Sequence, residues 1–194
     1  MILLIAHRPP RLMKYLLVLT ILAVSAAASA QEKTNDEITR QIRSLGVDHI
    51  TLDFDQASNT TKIMAVSENF SDSDASAAGI QAMNFAMAFF YSGTSLKQPP
   101  DTIHFAFWVL TKKPRFADNH HLTADIDGRI LDLGMACYAA KPNQNLEYLN
   151  FEIKRTDLMV ISSGRKIVFR LGNYSFASTS DQLKLIGAVI QVAV

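Results

Sequence analysis

Chemistry-bearing residues are scarce in this chain. It has one cysteine in 194 residues, which excludes an internal disulfide framework and any cysteine-built zinc or iron–sulfur site. Neither sign of charge predominates: 19 basic against 18 acidic residues give a formal net charge of +1, and so even a balance argues against a nucleic-acid-binding surface. A G-x-S-x-G elbow for acyl transfer is missing, and Gly164-Arg165-Lys166, the nearest approach to the tail of a phosphate loop, lacks its upstream glycine. Internal repeats and low-complexity tracts are absent as well. At 48% apolar and 19% charged, the sequence is still too hydrophobic for a disordered chain.

Part of that hydrophobicity reads as an export signal. Met13-Lys14 gives a short cationic start, Tyr15 to Val24 an apolar run broken only by Thr20, and Ala28-Ser29-Ala30 the small-residue cleavage pattern. The run falls short of the about 20 residues a bilayer span needs. The expectation is a signal peptide over residues 1–30, with translation starting at Met13, or at Met1 with an extended leader, and a single mature globular domain over residues 31–194. Cleavage removes Arg8, Arg11 and Lys14 and no acidic residue, which leaves 16 basic against 18 acidic side chains and a net charge of −2. A mature chain of 164 residues can bury about 70% of its unfolded surface, enough to fold without metal or disulfide.

Period-two alternation dominates the mature region. Val47 to Asp55 and Thr60 to Val66 read as a hairpin, and Thr102 to Leu110, entered from Pro99-Pro100, as a central strand apolar on both faces. Ile80 to Tyr91 fits either helical or strand spacing; the aromatics and the Ser92-Gly93 turn favour a strand over Asn84 to Tyr91. Asp127-Gly128 marks a tight hairpin between Leu122 to Asp125 and Ile130 to Leu133. Further strands are expected at Met135 to Ala139, Leu146 to Ile153, Lys166 to Leu171 and Tyr174 to Ala177, with a helical turn capped by Thr156 and ending near Gly164. Thr34 with Glu37, and Thr179 with Gln182, have capping-box spacing and open a helix at each end. The expected class is α+β: a mostly antiparallel β-sandwich or strongly bent sheet, with a short N-terminal helix and a C-terminal helix packed on it.

Four features could carry chemistry. His120 and His121 are the metal candidates, but neighbours on a strand point to opposite faces, so no metal site is expected, and no cofactor. Asp125-Ile126-Asp127-Gly128 starts like a calcium loop and is explained by the hairpin. Cys137, in the apolar setting Ala136-Cys137-Tyr138, reads as a small buried hydrophobe. Lys112, Lys113 and Arg115 form the densest basic cluster, a solvated edge or a contact for an anionic partner. The candidate binding residues are His104, Trp108, Ala86 and Ala88: if their two strands are neighbours, the alanines lie beside the large amphipathic side chains and leave a groove, unless a terminal helix fills it.

Three segments, Pro99-Pro100-Asp101-Thr102-Ile103-His104-Phe105-Ala106-Phe107, Asp127-Gly128-Arg129-Ile130-Leu131-Asp132-Leu133-Gly134, and Val168 to Phe176 followed by Asp181-Gln182-Leu183, together resemble small exported bacterial proteins of unknown function. The resemblance spans residues 84–190; it implies an exported bacterial domain and assigns no site residue. With no catalytic motif, the expected function is non-enzymatic: a periplasmic or secreted domain that binds a protein, peptide or cell-envelope component, with no nucleic acid partner and no membrane span after signal cleavage. The alternative is a small-ligand carrier or small hydrolase with a pocket near His104 and Trp108.

Overall fold

In the computed structural model, which describes residues 32–70 and 79–194, alternation of apolar and polar residues has been translated into two large antiparallel sheets, beside a third of only two short strands. The expected signal peptide over residues 1–30 and the expected translation start, at Met13 or Met1, lie outside the described residues. The elements run β1 (Lys33–Thr34), α1 (Asn35–Ser44), β2 (Ile50–Asp55), β3 (Thr60–Val66), β4 (Ile80–Ser92), β5 (Ser95–Leu96), β6 (Thr102–Thr111), β7 (His121–Ile126), β8 (Arg129–Met135), β9 (Cys137–Lys141), β10 (Leu146–Lys154), α2 (Arg155–Ser163), β11 (Ile167–Leu171), β12 (Tyr174–Ala177) and α3 (Ser180–Val192). The larger sheet has the order β2-β3-β4-β6-β10-β9 and the smaller β12-β11-β7-β8, while β1 pairs with β5. Contacts gather Glu32–Val194 into one compact unit.

The larger sheet has an inner and an outer face. Phe85, Met87 and Phe89 of β4, Ile103, Phe105, Phe107 and Val109 of β6, and Leu149, Phe151 and Ile153 of β10 point inward and are buried. Phe169 of the smaller sheet sits among them, 5.7 Å from Phe105 and 5.9 Å from Phe107 by ring centroids. Buried aromatics of this size stabilise by about 1.5–3 kcal/mol each. The helix α1 is on the same side, since Asn35 bonds to inward-facing Thr61 and Tyr91. Its side chain Gln41 in turn reaches Gln191 at the end of α3, and α2 packs on α3. Both capping boxes form as their spacing suggests: Thr34 with Glu37, and Thr179 with Gln182.

Several local expectations are corrected. Residues 80–92 are one continuous strand, longer than the Asn84 to Tyr91 segment. Met135 to Ala139 is two strands, because at Ala136 the chain crosses from the smaller sheet to the larger, its N–H bonded to His120 O. That crossing resets the parity, so Tyr138 faces inward and Cys137 is exposed, opposite Asn150. Thr156 caps nothing: β10 runs straight into α2, whose first N–H, that of Arg155, goes to Asp101 O.

Candidate functional site

The four candidate binding residues share the outer face of the larger sheet. β4 and β6 are paired, with Ala88 opposite His104, Ala86 opposite Ala106 and Asn84 opposite Trp108. On β10 the same rows continue through Glu152, Asn150 and Tyr148, and on β3 through Met64 and Val66. Strand geometry sends every second side chain to this face, and here the sequence supplies alanines at its centre and aromatics beside them. Phe90 is 50% exposed and Trp108 and Leu110 are each 36% exposed, whereas Ala86 is nearly flush at 6%. The alanines thus floor a shallow trough with Phe90 at one end and Trp108 at the other.

Charged side chains border the alanines, Asp53, Asp55 and Lys62 toward one edge and Glu152, Lys154 and Lys141 toward the other, with Asn84, His104 and Asn150 nearer the centre. The His104 ring meets Phe90 edge-on at 5.6 Å. Lys141 places its ammonium 5.2 Å over the Tyr148 ring, a cation–π contact at the far edge. Beside Trp108, the amide oxygen Oδ1 of Asn84 is buried without a hydrogen-bond partner among the described residues, a condition that costs about 1–3 kcal/mol. The terminal helix does not fill the trough, since α3 bonds through Gln182 to Glu68 O and shares the inner side with α1.

His120 and His121 diverge. His121 Nε2 lies 2.8 Å from Asp132 Oδ1, while the His120 ring stacks on Tyr138 at 5.7 Å. Among the described residues no three metal-ligating side chains converge. Asp132 also accepts the Gly134 N–H, and the two contacts hold its carboxyl below the usual range, the Gly134 N–H foremost. The Asp127 carboxylate accepts the N–H groups of Arg165 and Lys166 at 3.0 Å each, which likewise keeps it ionised to lower pH. With Asp127 at φ +51° and Gly128 at φ +91°, the expected tight hairpin forms, and its tip is clamped to the start of β11.

A buried carboxylate went unnoticed in the sequence. Glu147 is 2% exposed and faces inward from β10. Its two oxygens accept the N–H groups of Arg115 and Phe116 at 3.0 Å, the Thr111 hydroxyl at 3.1 Å and the Tyr138 hydroxyl at 2.9 Å. Burial, then the bond to Glu147 and its charge, push the Tyr138 phenol up to about 12. The basic cluster of Lys112, Lys113 and Arg115 is therefore carried by a loop that Glu147 pins to the sheet. Glu147 shares parity with Leu149, Phe151 and Ile153, so an acid on the apolar register of a strand was the available signal.

One further cleft, about 210 Å³, opens between the α1–β2 turn and the start of α3, lined among others by His49, Glu68, Asp181 and Lys184. His49 and Glu68 are 4.0 Å apart and both well exposed, a loose surface pairing. No helix in the described residues is long and apolar enough to cross a membrane. Compared with known proteins, the chain matches no family model, no curated sequence and no solved structure.

Proposed function

We propose that the chain is an exported, non-enzymatic domain that binds a protein, peptide or cell-envelope component on the outer face of its larger sheet, around Trp108. The layering of the two sheets is read as a β-sandwich of which one outer face is left for a partner. The observation that carries this reading is the apolar trough itself. The smaller sheet and α1 pack on the opposite side of the larger sheet, and Phe90, Trp108 and Leu110 stand in solvent on a continuous patch with the alanines. Such contiguous patches on a folded domain mark interaction surfaces. Export follows from the signal-like residues 1–30 and the resemblance to small exported bacterial proteins.

A photo-crosslinking residue at position 90, compared in living cells with the same residue at position 175 on the exposed side of β12, tests the reading. Adducts from position 90 alone support it. Equal adducts from both positions, or none from position 90, overturn it.

A further inference from the structure

We infer that the occupant of this face is a second copy of the same chain, packed sheet on sheet about a two-fold axis. The inference rests on the outer face being the binding surface and names what binds there. Size is the first argument. Six strands spaced about 4.8 Å apart, each presenting about four outward positions over roughly 27 Å, give a face of about 800 Å². That is the contribution of one partner to a standard stable interface. Its centre, with Ala86, Ala88, Ala106 and Trp108 beside Asn84, His104 and Asn150, holds no lysine, arginine, aspartate or glutamate, and those charges lie at the rim, as in such interfaces.

Charge placement is the second argument. The outward residues of β2 are Thr51, Asp53 and Asp55, and the Asp55 row runs through Thr60 to Ser92 at one end of the sheet. Lys62 opposite Asp53 offsets one of the two acids, leaving that corner with a net charge of −1. Lys141 stands on β9 in the row of Leu146, Leu110 and Ala82, at the other end and the other edge. Glu152 and Lys154, two residues apart on β10, cancel. The acidic and basic corners are thus diagonally opposed on one face. A two-fold axis along the other diagonal lays the acidic corner of each copy on Lys141 of its partner, twice at once, with the strands of the two copies crossing steeply. Orthogonal crossing is one of the two ways sheets pack face to face, and reciprocal contact is what an isologous dimer requires.

Sedimentation velocity of the purified protein across a concentration series, read beside the emission of its single tryptophan, tests this. The wild type should sediment as a dimer, with Trp108 emission shifting to the red as dilution dissociates it. Ala88→Arg, which sets an unpaired charge in the centre of the contact, should raise the dimer dissociation constant by at least about 100-fold with an unchanged far-UV circular dichroism spectrum. Asp53→Lys and Lys141→Asp should each weaken the dimer and, combined, restore it; within one copy these residues are too far apart to compensate, so rescue reports contact between copies. A wild type that stays monomeric at 100 μM, or a dimer indifferent to Ala88→Arg, overturns the inference. The broader reading stands or falls separately on the position 90 crosslink: an adduct to another molecule by a monomeric protein keeps the face and replaces the occupant, and monomer without adduct sinks both.

Discussion

Replacing Glu147 by alanine removes one side chain and strands four donors. Two of them, the N–H groups of Arg115 and Phe116, belong to the backbone and cannot turn elsewhere, while the Thr111 and Tyr138 hydroxyls can rotate toward other acceptors. A buried donor left unpaired costs about 1–3 kcal/mol, so the two amides together place the loss at about 2–6 kcal/mol, toward the lower end where water enters. Against a total stability of about 5–15 kcal/mol, that is a large fraction. Glu147→Gln keeps the shape and one acceptor oxygen but turns an amide donor toward donors, and should cost about 2 kcal/mol. Urea unfolding followed by circular dichroism measures both. The Tyr138 phenol gives an independent readout: with the charge gone and the burial kept, its ionisation in the glutamine variant should fall below about 12 but stay above the ordinary value of about 10. A loss under 1 kcal/mol in Glu147→Ala would refute the claim that this carboxylate holds the basic loop to the sheet.

Other consequences follow from single positions. Because the Tyr138 phenol is raised, the stability held by its protonated form is whole below about pH 10 and is lost as pH climbs to about 12; alkaline unfolding of Tyr138→Phe should lack that portion. Asp127 runs the other way. Its lowered carboxyl contributes stability above the unfolded carboxylate range, lost as pH falls through the folded value, so Asp127→Asn should flatten the acid limb of the stability profile below about pH 4. Gly172, at φ +56°, sits where a side chain would strike the Asn119 carbonyl, whereas Gly46, at φ +62°, faces open space. Gly46→Ala should cost about 1–2 kcal/mol for backbone conformation alone, and Gly172→Ala clearly more, by urea unfolding. Cys137 should react with a thiol reagent in the native monomer without denaturant, since it is exposed.

Much of this architecture is legible in the residues because period two and turn chemistry are local signals. The β6 alternation, the Asp127-Gly128 hairpin and both capping boxes each depend on neighbours within a few positions, and each is present. The failures share one cause, tertiary context acting across sheets. Nothing local says that the chain leaves one sheet at Ala136 and enters another, yet that step is what turns Cys137 outward. Likewise Thr156 has the chemistry of a cap, but the helix opens one residue earlier, at Arg155, whose N–H goes to Asp101 O far away in sequence. Glu147 shows the limit from the other side: its donors come from residues 31 to 36 positions away in sequence and from the adjoining strand β9. The side chains that would make a binding face could be placed on one surface from sequence, because β4 and β6 needed only to be neighbours. Which strands and helices would cover that surface could not.

If a partner is bound at work, the face around Trp108 is covered in the cell. Hydroxyl-radical footprinting of the protein in intact cells, set against dilute purified protein, reads this directly. Modification of Trp108 and Phe90 should drop several-fold in cells, while Met159, 44% exposed on α2, is modified equally in both. Equal labelling of Trp108 and Phe90 in the two preparations would contradict the account.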